Sequence, residues 1–221
     1  MPLHKLQNGD SQWLKSNYPI PKENKVLLFV GRLTKEKNLE FLIQAFRLVK
    51  EKYSHTTLVL TAQGPIESEL KQLTNQLGLS LDQDVVFTGA LPYDMLANVY
   101  NSADLFVFSS MTETQGLVLI EAMATGLPVV AIRAFGVQDM VDHMVNGILT
   151  SCDLHEFSEA ICSLLGDEVL YNQFKQQALK KAYHLSAENS ARKLEEVYQS
   201  LMDKYVPRKP RLLDFGAWFG S

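Results

Sequence analysis

Cysteine is scarce in this chain. Cys152 and Cys162 are too few for a disulfide scaffold, and they lack the CxxC spacing or histidine-rich surroundings of a zinc site. They read as free thiols in a reducing compartment. Basic charge is also short, with 21 lysines and arginines against 25 aspartates and glutamates and a net charge of -4. That balance argues against non-specific nucleic-acid binding, which relies on many cations meeting phosphates. No run approaches the roughly eighteen apolar residues of a membrane span, and the opening MPLHKLQNGDSQWLK has no apolar core like that of a signal peptide. The expectation is a soluble, cytoplasmic protein.

Several motifs are missing too. Without GxGxxG after a strand, hydride transfer with a dinucleotide is disfavoured, and without a Walker sequence so is nucleotide hydrolysis of that kind. GxSxG and HExxH are absent, and the five histidines form no constellation with a nucleophile or carboxylate.

What is present is apolar mass in a regular order. At 221 residues, 46% hydrophobic and 10% aromatic, the chain can bury a large core as one generous domain or two small ones. From Lys25, short apolar runs alternate with helical patterns: VLLFV (26–30), TLVLTA (57–62), VVFTG (85–89), DLFVFS (104–109) and PVVAI (128–132). Runs apolar at consecutive positions suit strands covered on both faces of a parallel sheet. Helices are expected from Leu39, with Asn38 as N-cap and Leu39, Leu42, Phe46, Val49 and Tyr53 along one face, and near 66–77, 93–101, 117–124, 154–164, 168–183 and 187–205. The fold class is α/β, a Rossmann-like doubly wound parallel sheet. Residues 1–24, with Pro19 and Pro21 and little periodicity, read as an interdomain linker; 25–205 read as the binding domain and 206–221 as a C-terminal tail. The tail VPRKPRLLDFGAWFGS is either a strap on another part of the protein or a membrane-interface contact through Arg208, Lys209, Arg211 and Trp218.

In such a sheet, ligands bind beyond the carboxyl ends of the strands. Two loops there stand out. The first strand leads into Gly31 and Arg32, with Lys37 following, a fork and a point charge suited to a diphosphate; solvated loop cations are the competing reading. The fourth leads through Glu113, Thr114 and Gln115 to Gly116, where a helix opening at Leu117 offers free N–H groups and a partial positive charge to an anion. Glu121 lies inside that helix, among side chains apolar on nearly every side, and needs a cation or several donors to offset its desolvation. Glu121 lies about five residues, or roughly 7 Å along the axis, beyond that opening, so the two carboxylates are placed to grip opposite ends of one polyhydroxylated, phosphate-bearing ligand. The outline is that of a nucleotide sugar. A solvated Glu113 and a Glu121 paired with a buried cation remain the bland alternative. In Ala62-Gln63-Gly64-Pro65, Gly64 serves either a ligand's approach to the backbone or a simple turn.

The segments GRLTKEKN (31–38), VVFTGALP (85–92), ADLFVFSS (103–110), ETQGLVLIE (113–121) and ATGLPVVA followed by GVQDMVDHMVNGIL together resemble the C-terminal, donor-binding half of a GT-B retaining glycosyltransferase, of the group 1 (family 4) type with an E-x7-E motif. The resemblance covers about residues 12–205. It implies that Arg32 and Lys37 contact the donor diphosphate and Glu121 the ribose hydroxyls. Glu113 would be the catalytic-centre residue, holding hydroxyls of the transferred hexose beside Thr114 and the backbone amides around Gln115, Gly116 and Leu117. Gly31 and Gly64 would border the donor, and the segment from Gly89 to Leu91 would lie by the nucleobase. It further implies transfer with retention, no cofactor and no metal, and an acceptor domain preceding this chain, without which the chain transfers nothing.

Two departures carry information. Ala62 stands where many members have the first glycine of Gly-x-Gly-Pro, and Gln115 where many have phenylalanine. The form TETQGL is similar to bacterial enzymes that glycosylate diacylglycerol, which implies UDP-glucose as donor, a lipid acceptor and peripheral contact with the inner membrane face. A non-catalytic nucleotide-sugar-binding module shares every donor-side feature, and a nucleotide-sugar epimerase of similar architecture is a further rival.

Overall fold

The computed structural model describes residues 3–205, so the expectations made for the tail from 206 onward lie outside the described residues. Two short helices, Leu3–Leu6 (α1) and Trp13–Asn17 (α2), precede the first apolar run, which forms strand β1 (Lys25–Val30). The chain then alternates: α3 (Leu39–Lys52), β2 (Thr56–Thr61), α4 (Glu67–Gln76), β3 (Val85–Phe87), α5 (Leu96–Asn101), β4 (Leu105–Phe108), α6 (Leu117–Ala124), β5 (Val129–Ile132), α7 (Phe135–Gln138), β6 (Gly147–Thr150), α8 (Leu154–Gly166) and α9 (Glu168–His184). A last helix, α10 (Ala187–Lys204), belongs to a second compact unit that begins at Ala187. Along it Leu194, Val197, Tyr198, Leu201 and Met202 recur at the three- and four-residue spacing of one helical face, all exposed.

The six strands make one sheet in the order β3-β2-β1-β4-β5-β6, every neighbouring pair parallel. All six residues of β2 and all four of β4 and β5 are buried, as continuous apolar runs in a helix-covered parallel sheet must be. On the helical side, α3 packs against α4 and α8, and α6 against α9. In α3 the buried set is Leu39, Phe41, Leu42, Ile43, Ala45, Phe46 and Val49, with Phe41 edge-on to Phe157 of α8 at 5.4 Å. The winding reverses between β1 and β4, so their carboxyl ends diverge into separate loops and leave a crevice between them.

Four expectations need correcting. Strand β6 escaped the periodicity because GILT is short and half small or polar. It sits at the sheet edge, where Gly147 lets the β5 backbone close in: a Cβ there would lie 2.4 Å from the Val129 carbonyl oxygen. The segment 93–101 begins as a 3-10 turn, Tyr93–Met95, before α5. Asn38 precedes α3 but makes no side-chain cap; it adopts the left-handed conformation (φ 52°, ψ 44°), which asparagine tolerates, and its amide donates to Cys152 Sγ at 3.6 Å.

The fourth concerns residues 1–24, read as a linker. Leu6 and Leu14 are wholly buried, α1 packs on α5 and α6, and α2 packs on α5. Backbone groups are tied in as well: the Leu14 N–H donates to Ser102 Oγ, and Asn101 Nδ2 donates to the Leu6 carbonyl. Two leucines eight positions apart leave no visible period, yet both are buried where α1 and α2 pack on the later helices.

Leu14→Ala is accordingly expected to cost about 2–5 kcal/mol, as for other buried leucines. Chemical denaturation of the two proteins checks it; an unchanged midpoint would restore the linker reading.

Candidate functional site

The crevice between β1 and β4 is built from two loops locked to each other. Ser109 and Ser110, both fully buried at the end of β4, donate hydroxyl hydrogen bonds to the Lys37 carbonyl (2.7 Å) and the Glu36 carbonyl (3.4 Å). These two serines fix the 3-10 turn Lys35–Lys37 against the β4 loop, a role that nothing in their sequence position announced.

Across this seam the Lys37 ammonium donates to Glu113 Oε2 at 2.9 Å, with each side chain only about one-sixth exposed (16% and 17%). The ammonium also lies 5.8 Å from the centroid of the Phe108 ring, within cation–π range. Burial pushes the Glu113 carboxyl up, but the Lys37 hydrogen bond and charge, with backbone N–H groups of Gly116 and Thr114, outweigh it and hold the group below the usual carboxylate range. Glu113 thus takes the donors at the opening of α6 that were expected to face an external anion. Its backbone is pinned too: the Gly136 N–H donates to the Glu113 carbonyl at 3.0 Å. A Cβ on Gly136 would come within 2.4 Å of that oxygen, so only glycine permits the approach.

A cavity of about 300 Å³ opens here, lined by Val30, Gly31, Arg32, Lys37, Glu113, Thr114, Gln115, Gly116, Leu117 and Val118. Eight of the residues singled out in the sequence are therefore brought together. Arg32 is 81% exposed and only loosely paired with Glu36 at 4.0 Å, so its guanidinium is available to a ligand. Gly116 has φ 59° as it opens α6, a backbone that a side chain would strain.

Gly64, Leu91 and Glu121 do not line this cavity. Gly64 has a structural reason to be glycine, since a Cβ would lie 2.1 Å from the Leu33 carbonyl oxygen. Glu121 is half-buried, and α6 is less enclosed than its composition suggested: Leu117 is 60% exposed, because the helix begins at the open carboxyl edge of the sheet. Among the described residues no cation is paired with Glu121. Tyr100 donates to its Oε2 at 2.9 Å and Tyr93 to its Oε1 at 3.3 Å. Burial and the neighbouring Glu121 charge push the Tyr100 hydroxyl well above its ordinary range, so it remains a donor throughout the working pH range. Nothing in the sequence around Tyr100 marks it as a partner of Glu121; its hydroxyl's destination in the fold does.

Lys37→Met is expected to destabilise the fold by about 1–3 kcal/mol at neutral pH, because it leaves Glu113 partly buried and unpaired. The sign with pH follows from the depressed carboxyl. The pair's contribution is present above the unfolded pKa of about 4.3 and lost as pH falls through the lower folded value, so the deficit should shrink in acid. Thermal unfolding of both proteins across pH 3–7 checks this; a deficit independent of pH would contradict it.

Comparison with known proteins identifies the family and the fold. The family model for glycosyl transferases group 1 matches residues 10–181. The D-inositol 3-phosphate glycosyltransferase of Corynebacterium urealyticum is 36% identical over 190 residues, 82% of this chain and 44% of that protein. The alpha-monoglucosyldiacylglycerol synthase of Streptococcus pneumoniae is 30% identical over 186 residues, 84% of this chain and 41% of that one. This chain therefore spans less than half the length of those relatives. In structure it is similar to the Anabaena HepE protein in complex with UDP, with a TM-score of 0.79 and 24% identity, covering 92% of this chain and 56% of that one. With the family model covering most of its length, the chain belongs to the glycosyl transferases group 1 family and has the Rossmann-like architecture of one half of a GT-B fold.

Proposed function

We propose that this domain binds the donor of a retaining hexosyltransferase, with UDP-glucose as the donor and a membrane lipid as the acceptor. The observation that carries the reading is the cavity at the β1/β4 reversal, where Arg32, Lys37 and the opening of α6 face one another across Glu113. The donor diphosphate sits against Lys37, Arg32 and the amides at the α6 N-terminus, the same cation and donors that Glu113 engages without ligand. Glu113 then turns to hydroxyls of the hexose, and Glu121 to those of the ribose. Support for uridine comes from the UDP complex of the HepE protein, and for a lipid acceptor from the glucosyldiacylglycerol named for the streptococcal relative.

In the transfer, the bond from the sugar's anomeric carbon to the diphosphate oxygen breaks and a bond from the acceptor hydroxyl forms on the same face. The acceptor's proton passes to the departing diphosphate. Lys37, Arg32 and the helix opening stabilise the charge that develops on that leaving group, with no metal called upon, so the domain's contribution is electrostatic and positional. The acceptor and the remaining catalytic groups belong to a further domain. By itself this chain binds donor without turnover.

Calorimetry against UDP-, GDP- and ADP-glucose tests the donor assignment. UDP-glucose should bind best, and Arg32→Ala and Glu121→Ala should each weaken it about tenfold, the worth of one charge-assisted contact. Unchanged binding in both variants would sink the site. In an assay with the acceptor domain present, Glu113→Ala should abolish transfer to diacylglycerol while the fold survives; retained transfer would remove Glu113 from the catalytic centre.

A further inference from the structure

Glu121 stands between two tyrosine hydroxyls of different character. Tyr100 is wholly buried, its ring 6.0 Å from that of Phe106, and its hydroxyl donates to Oε2 at 2.9 Å. The packed ring has nowhere else to go, so the donor is fixed before any ligand arrives. Tyr93, on the 3-10 turn that follows residues 89–91, is 51% exposed and reaches Oε1 at a longer 3.3 Å. A glutamate on a helix keeps considerable rotamer freedom, and a carboxylate that must meet a pair of hydroxyls gains from losing it in advance. Both tyrosines are neutral donors. A lysine or arginine in their place would neutralise Glu121 and weaken it as an acceptor; a phenol orients the carboxylate and leaves its charge for the ligand.

We propose that Tyr100 is a positioning residue for ribose recognition, holding Oε2 of Glu121 so that Oε1 faces the nucleotide, and that the Tyr93 hydroxyl is a placeholder which a ribose hydroxyl replaces. The proposal rests on the assignment of Glu121 to ribose. It adds a division of labour between the carboxylate's two oxygens, and it gives the two tyrosines opposite effects: one prepares the site and the other competes for it.

The test uses the 221-residue chain with UDP, GDP and ADP, each as the ribonucleotide and as its 2′,3′-dideoxy form, titrated calorimetrically. The wild type should prefer the ribonucleotide, and Glu121→Gln should erase most of that preference. Tyr100→Phe should cut the preference about fivefold to tenfold, about the net worth of one ordinary hydrogen bond, and leave dideoxynucleotide affinity unchanged. Tyr93→Phe should leave ribonucleotide affinity unchanged or raise it.

If Glu121→Gln keeps the preference, or no diphosphate binds, the donor-site reading itself falls. If Glu121→Gln erases the preference and Tyr100→Phe does not reduce it, the positioning role alone is overturned. Equal losses for both nucleotide forms in Tyr100→Phe would mark general loosening of the helix and also overturn it. The Tyr93 placeholder is overturned if Tyr93→Phe loses as much preference as Tyr100→Phe. Where Tyr100→Phe does not unfold cooperatively, Tyr93→Phe at its exposed position still decides: a loss of preference refutes the division of labour, and a gain supports it.

Discussion

The ion pair between Lys37 and Glu113 joins the two loops on which the site depends. It spans the carboxyl ends of β1 and β4, neighbours in the sheet although 76 residues separate the pair in sequence. A partly buried carboxylate is unfavourable without compensation, and here a lysine and the N–H groups of Thr114 and Gly116 supply it. Ser109 and Ser110 hold the lysine's turn in place from beneath, and Gly136 brings the β5 loop against the glutamate's backbone. The loops after β1, β4 and β5 are therefore one mechanical unit.

Such a pair also sets the terms for a ligand. In the proposed donor complex a phosphate on Lys37 and the α6 amides displaces Glu113, and hydroxyls beside it donate to the released carboxylate. The exchange keeps every charge and donor partnered in both states, which limits the desolvation cost of opening a charged site.

The strands were legible because residues covered on both faces must be apolar at every position, and five runs displayed that pattern. Edge strand β6, with GILT, had no such signature. Glu113 and Glu121 were legible as carboxylates at a glycine-opened helix, and Lys37 as a cation on a neighbouring loop. Their mutual pairing was not, since it depends on β1 and β4 lying side by side. The same holds for Leu6 and Leu14, whose burial requires surface presented by α5 and, for α1, also by α6, helices that come only after the first three strands.

By itself the sequence determined the α/β class, the positions of the first five strands along the chain, the place of α6, and which carboxylates and cations stand in the loops at the strands' carboxyl ends. Those follow from local rules: periodicity, glycine at a helix opening, and the cost of a charge in an apolar run. Only the tertiary structure decided which groups meet. It placed two phenols, rather than a cation, on Glu121, and set Lys37 on Glu113. The physical reason is that side-chain partners are chosen by the packing of distant elements, and a residue's chemistry says what it can bind without saying what will be within 3 Å of it.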